Sequence, residues 1–237
     1  MTKSSLSSSL PSKAAPPSAF RWLETASVIV AIACDLTLAV QVSQGFFADR
    51  PALLVSVGVV FAAYLAADLM SGFVHFLGDS FGSIDTPFLG TTFLLPFRSH
   101  HEKPEGICEH DFVETNGNNA FATLFGVVPT LCFVSVKEGG LASALGLFVL
   151  VFSVLLLFTN QIHKWAHVAS PPRLIVALQR AGVLLSPARH VSHHTPPYAR
   201  GFCVTSGIGN LLLDPIGFFP WLERKLRSAA SVFRSIP

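Results

Sequence analysis

Four long apolar runs constrain the fold of this chain more than any other feature. They cover residues 26–47, 51–78, 120–136 and 141–162, and the third is the shortest. About 20 apolar residues make a helix that crosses a bilayer, so each run is a candidate span. Only 13% of the 237 residues are charged, against about 25% in soluble domains. These observations predict an all-α integral membrane protein, built as a four-span helical bundle.

The rest of the chain divides into interfacial helices and polar ends. Residues 88–97, 174–185 and 207–222 are apolar but short or interrupted by Pro and Gly, which suits helices at the membrane surface. Residues 1–20 are rich in Ser, Pro and Ala and contain no acid, so we predict a disordered tail. The membrane domain is then residues 21–222, followed by a basic tail at 223–237. A net charge of only +2 argues against a nucleic-acid partner.

Lysine and arginine are distributed unevenly around the four predicted spans. Fourteen of the sixteen lie in the N-terminal tail, between the second and third runs, or after the fourth run, and only Arg50 and Lys137 lie on the other side. By the positive-inside rule, both termini are cytoplasmic. We therefore expect a multi-pass protein of a bacterial inner membrane or of the endoplasmic reticulum. All nine histidines fall on the cytoplasmic side, although the orientation rests on lysine and arginine alone.

One short stretch concentrates three of these histidines. Residues 186–197 read SPARHVSHHTPP and place His190, His193 and His194 at i, i+3 and i+4. Those spacings share one face of a helix. Ser186 suits the N-cap of that helix, and the two prolines that follow the histidines suit its end. The stretch therefore predicts a short, bounded helix that presents three imidazoles together.

The other histidines also stand at spacings that favour a common site. His163 and His167 are at i and i+4, the spacing of two metal ligands on one helix. His75 shares a face of the second run with Asp68 and Asp79. The loop between the second and third runs adds His100, His101 and His110, with Asp111 next in sequence and Asn118 or Asn119 as a candidate cap for the third span.

Nine histidines with several nearby carboxylates exceed what one metal ion needs. A single zinc ion takes three or four ligands, and imidazole suits zinc, copper or iron. The number of candidate ligands favours two metal ions bridged or flanked by carboxylates. Two irons could activate oxygen, and the adjoining bilayer would supply an apolar substrate. The predicted fold therefore includes a histidine-rich metal site at the cytoplasmic face of the bundle.

Three other functions fit part of this pattern. A desaturase or hydroxylase of another lipid acyl chain would need the same ligands. A metal or proton transporter could line its path with histidines, but transporters place ionisable groups near the bilayer midplane. A single-zinc hydrolase would leave about five histidines unused. The position of all nine histidines at one membrane face favours the oxygen-dependent enzymes.

The ordered motifs resemble the Kua/CarF lipid desaturase family. The first is Asp68, Gly72, His75 and Asp79 in the second run. The others are FRSHHEKP at 97–104, HDFVETNGNN at 110–119, NQIHKWAH at 160–167, HVSHHTPPY at 190–198 and FCVTSGIGN at 202–210. The family includes plasmanylethanolamine desaturases and the plastid desaturase that forms a trans-3 palmitoyl chain on phosphatidylglycerol. The segments HDFVETNGNN and NQIHKWAH are more similar to the plasmanylethanolamine branch.

This resemblance implies an activity and its partners. The activity is oxidation of plasmanylethanolamine to plasmenylethanolamine, by removal of two hydrogens from the alkyl ether chain to give the vinyl ether of a plasmalogen. The cofactors would be two Fe ions, with molecular oxygen as co-substrate. The partners would be the membrane lipid itself and an electron donor of the cytochrome b5 or ferredoxin type.

The resemblance also implies which residues bind the metals. The ligand set would be His75, His101, His110, His163, His167, His190, His193 and His194, with His100 as the alternative to His101 because adjacent loop histidines rarely both bind. Asp68, Asp79 and Asp111 would orient imidazoles through their second ring nitrogens. No catalytic residue is expected beyond the metal site. One position departs from the animal members of the family, in which a further histidine is expected where this chain has Arg189.

Overall fold

A computed structural model describes residues 18–49, 53–87 and 89–234 of the chain. The predicted disordered tail lies largely outside these residues, and α1 already begins at Ser18. The α-helices of the described part are α1 (Ser18–Ala48), α2 (Leu53–Ser80), α3 (Leu95–Glu102), α4 (Phe112–Phe133), α5 (Gly140–His167), α6 (Arg173–Arg180), α7 (Pro187–His190), α8 (Ile208–Leu213) and α9 (Phe218–Arg234). A π-helical turn (Gly90–Leu94) and two 3-10 turns (Pro104–Glu109 and Val136–Glu138) connect them. The boundary predicted at residue 222 falls inside α9.

The predicted all-helical membrane fold is confirmed within the described residues. Three helices are long and apolar enough to cross a membrane: Phe20–Ala48, Leu53–Ser80 and Gly140–His167. They coincide with the first, second and fourth apolar runs. The third run lies in α4, which has 22 residues and contains Pro129. The first half of α4 carries Glu114 and three asparagines, and α4 is not among the helices that are apolar enough to be candidate spans.

The four long helices pack as one bundle. Helix α4 packs against α1 and α5, and α5 packs against α2. Small residues permit close approach, since an added Cβ at Gly117 would lie 2.6 Å from Glu24 Cβ, and one at Gly146 would lie 2.6 Å from Val136 Cγ1. Large apolar side chains such as Leu54 and Leu141 are more than 80% exposed on the outside of the bundle. Such an apolar surface suits contact with lipid.

Helix α4 begins earlier than the sequence analysis predicted. Its N-cap is Asp111, whose side chain accepts the backbone N–H of Glu114 at 3.0 Å. Asn118 and Asn119 lie inside the helix and hydrogen-bond to carbonyl groups of other segments. Asp111 also forms an ion pair with Arg21 of α1. Its carboxylate therefore caps α4 and ties it to α1, and does not reach a histidine ring nitrogen.

The segment at residues 202–210, which we call the anchor loop, is held by one carboxylate of α2. Oδ1 of Asp68 accepts the backbone N–H groups of residues 205–207 at 2.6 to 3.1 Å. Oδ2 of the same side chain accepts the N–H of Gly209 at 2.8 Å. Asp68 is fully buried, and these donors compensate the cost of burying its charge. Helix α2 and the anchor loop thereby form one rigid unit.

Close packing reinforces this unit. A Cβ at Gly72 would lie 2.5 Å from Cys203 Sγ, so only glycine lets α2 approach the loop this closely. Ser71 Oγ accepts the N–H of Val204 at 3.0 Å. Burial raises the pKa of the Cys203 thiol, which is reduced and packed in the interior. The loop in turn places the Phe202 ring against the histidines described below.

Candidate metal centre

Four segments bring eight histidines and one aspartate to the same end of the bundle. His75 and Asp79 lie at the C-terminal end of α2, and His163 and His167 at the C-terminal end of α5. The i, i+4 spacing within each pair places both side chains on one helix face, as the sequence analysis predicted. The other histidines come from α3 and from the α7 segment, which lie across this end of α2 and α5.

His100 and His101 both face the centre, although only one of them was expected to do so. They lie on helix α3, where a loop was predicted. Successive residues on an α-helix are rotated by about 100°. The two adjacent rings therefore point to different neighbours: His100 packs 4.7 Å from His167, whereas His101 packs 4.7 Å from His193, between ring centroids.

The segment at 186–197 forms a shorter helix than predicted. Ser186 caps α7 by accepting the N–H of Arg189 at 3.3 Å, and the helix ends at His190. The chain continues in a tight turn in which the N–H of His193 donates to the carbonyl of His190 at 2.9 Å. This turn still presents His190, His193 and His194 to the centre.

The side chains form two adjoining sets of potential ligands. The first, the five-histidine group, consists of His100, His163, His167, His190 and His194. The second, the aspartate group, consists of His75, Asp79, His101 and His193. Within each group, one ligand atom from every residue lies within 4.8 Å of all the others. The groups touch, because the His193 ring centroid lies 5.4 Å from that of His194.

The spacing inside the five-histidine group fits neighbouring ligands of one metal ion. His190 Nε2 lies 2.8 Å from His163 Nε2 and 2.9 Å from His194 Nε2. Metal–nitrogen bonds of about 2.1 Å at right angles place adjacent ligand atoms about 3 Å apart. The nitrogens cannot all pair by hydrogen bonds, since a neutral imidazole carries one N–H and His190 Nε2 faces two other nitrogens.

The aspartate group gives a sharper indication of a cation. Nδ1–H of His193 donates to the carbonyl of Arg200 at 3.1 Å, so Nε2 of the neutral ring carries a lone pair. That nitrogen has no hydrogen-bond partner and faces Asp79 Oδ2 at 3.5 Å. The same carboxylate oxygen lies 2.9 Å from His101 Nε2 and 3.5 Å from His75 Nε2. His193 Nε2 and Asp79 Oδ2 are thus two acceptors that face each other, and such a pair needs a positive charge between them.

Burial keeps the imidazoles outside the predicted spans neutral, which is the form that binds metals. Burial and, to a smaller extent, neighbouring histidines together lower the pKa of His193 to about 3, that of His194 to about 4 and that of His100 to about 2. The pKa of His190 is lowered in the same way. At neutral pH each ring therefore has a lone pair available for a metal ion.

Besides Asp111, two residues that were predicted from the sequence to belong to the site lie elsewhere. His110 belongs to neither group; its carbonyl accepts a hydrogen bond from Lys164, and its Nδ1 lies 3.9 Å from Glu114 Oε1. Asp68 orients no histidine and instead binds the anchor loop. The sequence contained a signal for this role: an acid inside an apolar run and a Ser-Gly-Ile-Gly stretch elsewhere in the chain. Successive backbone N–H groups in such a stretch form a concavity that binds an anion. Asp79 was expected to orient one imidazole ring, and it faces three, those of His75, His101 and His193.

Comparison with known proteins agrees with this site. A family model described as a lipid desaturase domain matches residues 64–233. The chain belongs to the lipid desaturase family. It is 39% identical to the plasmanylethanolamine desaturase of Myxococcus xanthus over 214 residues, which cover 90% of this chain and 74% of that relative. No solved structure matches the chain.

Two eukaryotic relatives show a similar degree of identity. The chain is 40% identical to mouse plasmanylethanolamine desaturase 1 over 72% of this chain and 64% of the mouse protein. It is 36% identical to the chloroplast fatty acid desaturase 4 of Arabidopsis thaliana over 69% of this chain and 49% of the plant protein. These relatives confirm the resemblance seen in the sequence and identify the chain as an oxidoreductase. Its histidine groups fit the histidine-rich site of a membrane desaturase.

Arg189, where a further histidine was expected, does not face either group of this desaturase. Its guanidinium Nη1 donates to the carbonyl of Ser206 at 2.9 Å and to that of Gly182 at 3.2 Å. Gly182 has φ +74°, and an added Cβ there would lie 3.0 Å from Arg189 Nη2. Arg189 therefore clamps the anchor loop to the turn that follows α6.

Replacing Arg189 by histidine tests this structural role. We expect R189H to leave the bound metal per chain unchanged and to lower the stability by about 3 kcal/mol or more, since two hydrogen bonds from a charged group are lost and each contributes about 1.5–3 kcal/mol. Elemental analysis and thermal unfolding of the detergent-purified protein measure the two effects. An extra metal ion in R189H, or an unchanged melting temperature, would contradict the clamp.

Proposed function

We propose that this chain is an oxygen-dependent lipid desaturase that holds two iron ions and forms the vinyl ether of plasmenylethanolamine from plasmanylethanolamine. The observation that carries the proposal is the pair of adjoining ligand groups, which together present eight imidazoles and the Asp79 carboxylate. A nitrogen-rich set with one carboxylate suits iron among the common metals. Relatives named for this reaction, at 39% and 40% identity, support the choice of substrate.

The reaction balances with an external reductant. The alkyl ether chain loses one hydrogen from each of its first two carbons, and the C–C single bond becomes a double bond. One O2 accepts those two hydrogens together with two electrons and two protons, and two waters form. A donor of the cytochrome b5 or ferredoxin type supplies the two electrons. Iron bound at the two groups would supply the oxidant from O2.

The residues of the chain supply binding and orientation. Arg200, through its carbonyl, holds the Nε2 lone pair of His193 toward the aspartate group. The Phe202 ring packs 5.1 Å from His193 and 5.9 Å from His75, between ring centroids, and excludes water from that side. Tyr198 covers His101 with a ring contact of 5.1 Å while remaining 42% exposed. The site is therefore closed to water on the Phe202 side and bordered by the partly exposed Tyr198 on the other, an arrangement that suits entry of a lipid chain.

The proposed topology has four spans with both termini in the cytoplasm. The spans are α1, α2, α4 and α5, in a bacterial inner membrane or the endoplasmic reticulum. The ends of α2 and α5 and the start of α4 lie on the histidine side, as alternating spans require. Most lysine and arginine residues belong to the segments on that side. The desaturase domain, predicted over residues 21–222, would continue through α9, because residue 222 lies inside that helix.

Expression in a host that makes alkyl ether phospholipids but lacks the vinyl bond tests this function. We expect acid-labile vinyl ether lipids to appear, and mass spectrometry should show products two hydrogens lighter than their precursors. The chloroplast relative favours acyl-chain desaturation as the second candidate. In that case the two-hydrogen loss would appear in an ester-linked chain and acid-labile lipid would be absent. Metal uptake without any lipid change would contradict both.

A further inference from the structure

A surface cavity adjoins the metal centre. It has a volume of about 330 Å³ and lies between the segment after the last histidines and the start of α9. Its lining includes Pro197, Ala199, Arg200, Asp214, Phe218 and Phe219. A cation, an anion and an aromatic ring therefore share one small cavity, which is the complement of a ligand that carries both charges.

A single residue, Arg200, connects the cavity to the aspartate group. The carbonyl of Arg200 binds Nδ1–H of His193 at 3.1 Å, while the Arg200 side chain lines the cavity. On the inner wall, the Phe219 ring lies 4.8 Å from the Phe202 ring, which itself contacts His193. One part of a ligand could therefore bind in this cavity while another part of the same molecule, a few covalent bonds away, reacts at the metal centre.

The charged groups of the cavity retain capacity for a ligand. Arg200 is exposed and lies within 4.0 Å of no carboxylate in the described part of the chain, while its charge attracts that of Asp214. Asp214 accepts the N–H of Gly201 at 3.2 and 3.3 Å with its two oxygens, and a carboxylate offers about four acceptor sites. Leu211, Leu212 and Ile216, each more than half exposed, lie next to the cavity in the sequence. Such an apolar border suits a ligand that comes from the lipid phase.

We propose that this cavity binds the zwitterionic phosphoethanolamine headgroup of the lipid substrate, with the phosphate at Arg200 and the ammonium at Asp214 and Phe218. The inference rests on the proposed function and extends it. The bond that becomes the vinyl ether is next to the ether oxygen, so the glycerol and headgroup must bind close to the metals. An enzyme that reacts deep in a chain would not need a headgroup site here.

The test compares binding and turnover for lipids that differ only in headgroup. Native mass spectrometry of the full-length protein measures retention of unreactive diacyl lipids with phosphoethanolamine or phosphoglycerol headgroups. Assays with an electron donor measure turnover of the corresponding alkyl ether lipids and of alkylacylglycerol, which lacks the phosphate. We expect the wild type to prefer phosphoethanolamine at least tenfold in both measurements.

Two variants separate the charges. R200Q should reduce the preference for phosphoethanolamine over alkylacylglycerol about tenfold, by raising KM for the phosphoethanolamine lipid. D214N keeps an acceptor for Gly201 and should reduce the preference for phosphoethanolamine over phosphoglycerol. R224Q, on the exposed part of α9, is the matched control and should behave as wild type.

The outcomes distinguish this inference from the proposed function. An unchanged headgroup preference in R200Q would overturn the headgroup site while vinyl ether formation by the wild type would still support the function. Retention of phosphoethanolamine lipid that depends on Arg200, without any vinyl ether product, would support the headgroup site and overturn the function. Soluble glycerophosphoethanolamine that binds as tightly as the lipid would overturn a lipid as the source of the headgroup.

Discussion

Alanine at His190 or at His193 should each remove about one iron ion per chain and abolish desaturation. His190 Nε2 contacts two other nitrogens of the five-histidine group, and His193 belongs to the aspartate group. Each substitution therefore removes a central ligand of one proposed metal while leaving the other group complete. Changes in the surroundings of a metal site already cost 10- to 100-fold in activity or affinity, so we expect a loss of at least about 100-fold. Iron per chain and vinyl ether lipid measure the result.

His110 provides the matched control for these two histidines. It belongs to the same series of histidine-containing motifs in the sequence, but it lies outside both groups. H110A should retain about two irons per chain and most of the activity. Loss of iron in H110A would favour the ligand set inferred from the family resemblance over the one seen in the fold. Full iron and activity in H193A would remove the aspartate group from the site.

Much of this centre could be predicted because helical spacing relates sequence directly to geometry. His163 and His167 were expected on one face of a helix, and α5 places them there. The long apolar runs likewise predicted helices, because backbone groups inside a bilayer must pair within their own segment. The Ser186 cap followed from the same local rules, and the structure confirms it.

The rest could not be predicted because it depends on contacts between distant segments. Whether His100, His101 or both face the centre depends on the rotation between successive residues of α3. The loop that was predicted there specified no such rotation. The capping role of Asp111 was hidden because asparagines about two turns later were equally good caps by sequence. The role of Asp68 required a loop 137 residues away to fold back onto α2. Sequence spacing carries no information about such a pairing.

Replacing Asp68 by asparagine should destabilise the protein more than any substitution of a metal ligand. The carboxylate accepts four buried N–H groups, three on Oδ1 and one on Oδ2. In D68N one of the two oxygens becomes an NH2 group, which faces at least one of those donors without an acceptor. Breaking a buried charged network costs about 3–5 kcal/mol. Thermal unfolding of the detergent-purified protein should show this loss.

Unfolding of the metal-free protein distinguishes two possible roles of Asp68, which are anchoring the loop and orienting a histidine. If Asp68 anchored the loop, D68N would unfold earlier than wild type even after iron is removed by a chelator, because the hydrogen bonds to residues 205–209 need no metal. If Asp68 oriented a histidine, the two metal-free proteins would unfold together and only iron binding would differ. D85N, at an exposed carboxylate between α2 and α3, should leave both measurements unchanged. We expect the first result, followed by iron loss as a consequence, since the anchor loop holds Phe202 against His75 and His193.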